Sequence, residues 1–190
     1  MTALALKPCR QGALDELCGL YALINASRLI ASRLVNPSPI KYEECVSIFA
    51  LALSWLSERE DFRHTLYKGL YAPDLRSLHE GCFQKKWKTF TLDQPWEEND
   101  PPNDKDFWAW MREASQGNQC LIIPIESDDK KIDHWSVVRE ITEKKIFLFD
   151  SYYPGLNPSR RNIGFPKKRN LKRKKYVIWA KEVLLLKNNK

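Results

Sequence analysis

Apolar positions recur along the first half of the chain at intervals of three and four. Leu20, Leu23, Ile24, Ile30 and Leu34, with the small Ser27 and Ala31 between them, share one face of residues 17–34. That period predicts a helix opened by Cys18 and stopped by Asn36-Pro37 and Pro39. Residues 42–56 carry the same period and predict a second helix. Pro73, suited to a first helical turn, opens a third through Leu75, Leu78 and Cys82. From Trp87 the period changes. Residues 87–92 read as a short strand, the proline-rich residues 93–104 as a loop, and residues 106–114 as a helix. The apolar runs 120–125, 134–138 and 146–149, separated by polar turns, predict strands, and residues 176–186 predict a last strand or a pair of strands. Helices followed by antiparallel strands define an α+β fold in which N-terminal helices pack on a twisted antiparallel sheet.

Composition narrows the class. The 190 residues, 43% hydrophobic and 29% charged, suffice for one domain over residues 1–190 with a core that needs neither disulfides nor metals. The apolar start of the chain is broken by Lys7 and Pro8, which argues against a secretory signal. With no apolar stretch of about 18 residues, no membrane span is expected. Five cysteines, an odd number without a C-x-x-C pair, suggest neither a disulfide framework nor a zinc site. Reduced thiols fit a cytoplasmic protein, and no cofactor or metal is called for. Residues 157–190 hold twelve Lys or Arg and one acid, a balance of +11; with +7 overall, residues 1–156 carry −4. The basicity is concentrated in a loop at residues 157–175, through Arg160-Arg161 and the run from Lys167 to Lys175. Such a loop serves as a solvated connection, docks an acidic protein partner or anionic surface, or makes weak, salt-sensitive contact with nucleic acid.

Chemistry gathers in two strings. In the first, Gln11-Gly-Ala-Leu-Asp-Glu-Leu-Cys18-Gly19-Leu-Tyr-Ala, the thiol at a helix start feels unpaired backbone N–H groups, which favour thiolate by up to about 2 kcal/mol. Gly19 removes a side chain beside the sulfur, so that a substrate backbone can approach. Gln11 can fold back so that its carboxamide and the Cys18 N–H face a developing oxyanion. Asp15, between them, is an alternative helix cap. In the second string His134-Trp135 opens one strand and Asp150 closes the next, so an antiparallel turn brings their side chains together. Asp150 then orients His134, which takes the proton of Cys18. Cys9, Cys45, Cys82 and Cys120 read as packing residues, Trp135 as a packing residue with shielding of the pair from water as the alternative, and His64 and His79 as surface or capping residues.

Gln, then Cys-Gly at a helix start, then His-Trp in a strand and Asp after the next strand resembles the papain-like cysteine peptidase clan, with compact bacterial C39-like peptidases and Josephin-type deubiquitinases nearest in look. The resemblance implies Gln11 for the oxyanion hole, Cys18 as nucleophile, His134 as base and Asp150 as orienter. It also implies a thiol hydrolase that cleaves a peptide, isopeptide or side-chain amide bond of a protein or peptide substrate. The same parts serve a glutamine deamidase or an acyltransferase. A further alternative is a catalytically silent adaptor that binds acidic partners or nucleic acid through its basic C-terminus.

Overall fold

The computed structural model describes residues 6–12, 16–34, 39–101, 103–153, 155–166 and 174–189. Helix α1 (Cys18–Arg33) has no capping side chain at its start and ends just before the turn signals that follow Leu34. Helix α2 (Tyr42–Ser57) is followed by α3 (Phe62–Lys68), which the apolar period did not reveal because Thr65 is its one buried position. Helix α4 (Ala72–Leu78), with Pro73 in its first turn, continues through a π-helical turn (His79–Phe83) into α5 (Gln84–Lys86). After strand β1 (Phe90–Asp93), helix α6 (Asp104–Ala114) is capped by Asn103, whose Oδ1 accepts from the N–H groups of Lys105 and Asp106 at 3.0 and 2.9 Å.

The strands that follow are β2 (Gln119–Ser127), β3 (Asp133–Ile141), β4 (Ile146–Phe149), β5 (Ile163–Gly164), β6 (Tyr176–Ile178) and β7 (Leu184–Asn188). Their seven-stranded sheet runs β1-β7-β2-β3-β4, with β6 also on β2 and β5 on β6. All pairings are antiparallel except β5 with β6. β6 and β7 flank the same edge of β2 in succession, interrupted by a 3-10 turn (Ala180–Glu182), so the last predicted strand is a pair.

The architecture is thus α+β, and apolar residues cover both faces of the sheet. On one face α1, α2 and α4 pack on Cys120, Ile122, Val137, Phe149, Leu184 and Leu186. On the other, Phe107, Trp108 and Met111 of α6 pack on Leu121, Ile123, Ile125, Val138 and Leu185. Neighbours along β2 thus serve opposite cores, which is why residues 120–125 form a continuous apolar run instead of an alternating one. Among the described residues no helix is long and apolar enough to cross a membrane.

Candidate active site

Helix α1 starts at Cys18 itself. Leu17 occupies the N-cap position with a side chain that can accept nothing, and the first turn holds no acid, so the positive end of the helix is left to the sulfur. Asp15 lies outside the described residues. Cys18 is buried; its Sγ accepts the Trp135 N–H at 3.4 Å, and its thiol faces the Glu16 carbonyl at 4.0 Å.

Gly19 has a different reason from the one expected. A Cβ there would stand 2.8 Å from Cδ2 of Leu75, so the glycine lets α1 approach α4 and clears no space for substrate. The close approach that reaches the cleft is Gly69, at φ +78°, where a Cβ would meet the Glu16 carbonyl oxygen at 3.1 Å.

His134 is the second residue of β3, beside Ile125 of β2. The register Val137↔Phe149, continued one step, sets Asp150 opposite Ser136 and diagonal to His134 on the same face. His134 Nε2 lies 3.1 Å from Asp150 Oδ2, with both side chains almost wholly buried. The other oxygen, Oδ1, accepts the N–H groups of Tyr152 and Tyr153 at 2.7 and 2.6 Å, a turn closed by the carboxylate. Tyr153 stands edge-on to the imidazole with ring centroids 5.3 Å apart.

The electrostatics follow from these contacts. Burial alone lowers the His134 pKa, but the close approach of Asp150 and Cys18 and their negative charge outweigh it and raise the group to about 9. Burial pushes the Asp150 carboxyl up; the close His134 and its charge, with the Tyr153 amide, reverse this and hold it below its ordinary value. With Nε2 turned to Asp150, Nδ1 is the ring nitrogen left for the sulfur.

Gln11 belongs to the same neighbourhood through its main chain, where its N–H donates to the Ser151 carbonyl at 3.2 Å, one residue beyond Asp150. The segment before it is anchored by Asn25, fully buried in α1, which accepts from Cys9 N at 2.7 Å and donates to Cys9 O at 3.0 Å. Of the other histidines, His64 is exposed on α3, whereas His79 is buried against Phe83 and burial lowers it to about 4; the surface or capping role expected for His79 is therefore replaced by a core one. The Cys45 thiol lies beside Cys9, a neighbourhood that a packing role alone did not foresee.

A cleft of about 320 Å³ opens beside Cys18 and His134. Its walls are the α3–α4 loop, with Gly69 and the exposed Tyr67 and Tyr71, and the β2–β3 strands with Glu126, Asp133 and Trp135. Trp135 is a wall and an anchor at once, since its Nε1–H donates to the Leu70 carbonyl at 2.7 Å. Asp133, directly opposite Glu126, is raised by burial and by that neighbouring charge. Among the described residues no group of three or more His, Cys, Asp or Glu is arranged to hold a metal ion.

Comparisons with protein-family profiles, with curated proteins and with solved structures give no match to this chain. Ser136, Tyr153, Asn25 and Gly69 join the site without having been expected there from the sequence. Only Tyr153 carried a local signal, in the Asp-Ser-Tyr-Tyr-Pro run typical of a carboxylate-closed turn.

Proposed function

We propose that the chain is a thiol hydrolase with a papain-like arrangement, cleaving a peptide, isopeptide or side-chain amide bond. The observation that carries this reading is the buried His134–Asp150 contact at 3.1 Å, with the Cys18 sulfur at an uncapped helix start as the second partner of the imidazole. A histidine raised to about 9 holds a proton at neutrality, which it can hand to a departing amine. The Cys18 sulfur attacks the substrate carbonyl carbon, and the oxyanion meets the backbone N–H groups at the start of α1 and the Gln11 carboxamide. As the tetrahedral intermediate collapses, His134 protonates the leaving nitrogen and a thioester to Cys18 remains. Water then attacks the thioester, giving its proton to His134, and the carboxylic acid product leaves. Asp150 holds the imidazole in orientation throughout.

The test uses an electrophilic peptidyl probe, a peptide ending in a chloromethyl ketone that alkylates the sulfur with loss of chloride, with the site of attachment mapped by mass spectrometry. Attachment at Cys18 that disappears in His134→Ala is the expected result. Attachment at Cys9 alone, or labelling of Cys18 that is indifferent to His134, would overturn the proposal.

A further inference from the structure

At the end of β3 remote from His134, a second cavity of about 660 Å³ is walled by the β3–β4 turn and residues 159–165. Lys144 and Lys145 come from the turn, Arg160 and Arg161 from the 3-10 turn (Arg160–Asn162), and Lys174 from the segment before β6. Two carboxylates, Asp104 and Glu143, also reach it, yet no ion pair among the described residues joins any of the five cations to an acid. Five cations against two carboxylates leave the wall net positive, and an anion between the cations relieves their repulsion.

The frame is rigid where it matters. Arg160 N–H donates to the Lys144 carbonyl at 2.8 Å, Ile146 N–H to Pro158 O at 3.0 Å, and Thr142 N–H to Lys145 O at 2.9 Å. The Arg160 guanidinium rests over the Trp108 ring at 5.1 Å, and Trp108 Nε1–H donates to Thr142 O at 3.1 Å. Ser159 Oγ, buried at the same wall, has no hydrogen-bond partner among the described residues. Phe165 supplies an aromatic surface in the cavity, its ring held edge-on by Phe107 with centroids 4.9 Å apart.

The geometry points to a binding site for a nucleoside phosphate, with Lys144, Lys145 and Arg160 on the phosphates, Ser159 Oγ donating to a phosphate oxygen and Phe165 against the base. The backbone hydrogen bonds fix the main chain that carries Lys144, Lys145 and Arg160, and the tryptophan face holds the Arg160 guanidinium itself, which lowers the ordering loss on binding phosphate. A pocket of this volume matches a small ligand in size, which favours a free nucleotide over a polymer.

The test is calorimetric titration of the full chain with ATP, adenosine and sodium tripolyphosphate, with a labelled short oligoadenylate followed by anisotropy at low and high salt. The expected result is ATP bound at least about tenfold more tightly than adenosine or tripolyphosphate, and weakened about tenfold by Arg160→Gln. Phe165→Leu is expected to weaken ATP while leaving tripolyphosphate unchanged, and Lys85→Gln to change nothing. Tripolyphosphate bound as tightly as ATP by the unaltered chain would reduce the site to a patch of charge and overturn the proposal. So would absence of ATP binding at millimolar concentration. Oligoadenylate bound more tightly than ATP, with steep salt dependence, would overturn it in favour of a polymer. These comparisons need no variant to fold and do not depend on hydrolysis at Cys18.

Discussion

Cys9 accepts a hydrogen bond from Arg28 Nη1 at 3.4 Å, and contact with the Cys45 thiol, acting against burial and together with the Arg28 charge, lowers it to about 6. The same contact and burial push Cys45 up, while burial raises Cys82 and takes Cys120 to about 12. Reactivity at neutral pH therefore does not by itself mark the nucleophile. Iodoacetamide at pH 7, read by peptide mapping, is expected to modify Cys9 and Cys18 and to spare Cys45, Cys82 and Cys120 in the folded chain. Cys18→Ser should abolish turnover and Cys9→Ser leave it intact; loss of turnover in Cys9→Ser would move the chemistry to the wrong sulfur. Asp150 combines two tasks, because its Oδ2 faces His134 and its Oδ1 closes the turn through Tyr152 and Tyr153. Asp150→Ala should therefore lower stability by about 1–3 kcal/mol as well as turnover. Asp150→Asn keeps an oxygen acceptor for the two amides, so denaturant midpoints should separate the two variants. Equal midpoints would remove the turn from the role of Asp150.

At the scale of the elements, Gly19 is the hinge between two readings of one residue. If it serves packing of α1 on α4, Gly19→Ala forces a methyl group to within 2.8 Å of a Leu75 side chain that is itself fully buried. A loss of about 1–3 kcal/mol is expected, partly recovered in Gly19→Ala with Leu75→Val. Substrate access would instead show as a raised KM with unchanged stability. The same residue shows what the chain discloses before folding. Periodicity located α1, α2, α4, α6 and the main strands, and the order of Cys18, His134 and Asp150 along them was enough to foresee the His134–Asp150 contact, since period and strand adjacency are local properties. Why Gly19 is glycine depends on Leu75, more than fifty residues away, and the 3-residue and 2-residue strands β6 and β5 are too short to show a period. The α6 layer was legible as a helix but not by its place: the continuous apolar run of β2 was the one sign that the sheet has a second covered face.

For the whole molecule, three of the shifted groups act on stability between pH 4 and 9, and two of them oppose each other. His134 is raised in the folded state from its ordinary 6.5 to about 9. Its contribution is complete below pH 6.5 and is lost as pH rises through 9. Cys9 runs the other way: lowered from 9.0 to about 6, it binds its proton more tightly in the unfolded chain across that interval, so stability gains as pH rises there. His79, lowered by burial to about 4, must stay neutral in the core, and stability falls as pH drops from 6.5 toward 4. The unaltered chain should accordingly lose stability on acidification and decline from pH 6.5 to 9 less steeply than a chain without Cys9. In Cys9→Ser the opposing group is gone, and denaturation free energy should decline over that interval with a limiting slope of about 1.4 kcal/mol per pH unit. In His134→Gln it should rise instead, less steeply because solvent screens the half-buried Cys9. Chemical denaturation at half-unit steps of pH reads both slopes. A Cys9→Ser profile that stays flat from pH 6.5 to 9 would mean that His134 does not carry its proton at neutrality, and the proton donor assigned to the departing amine would be lost with it.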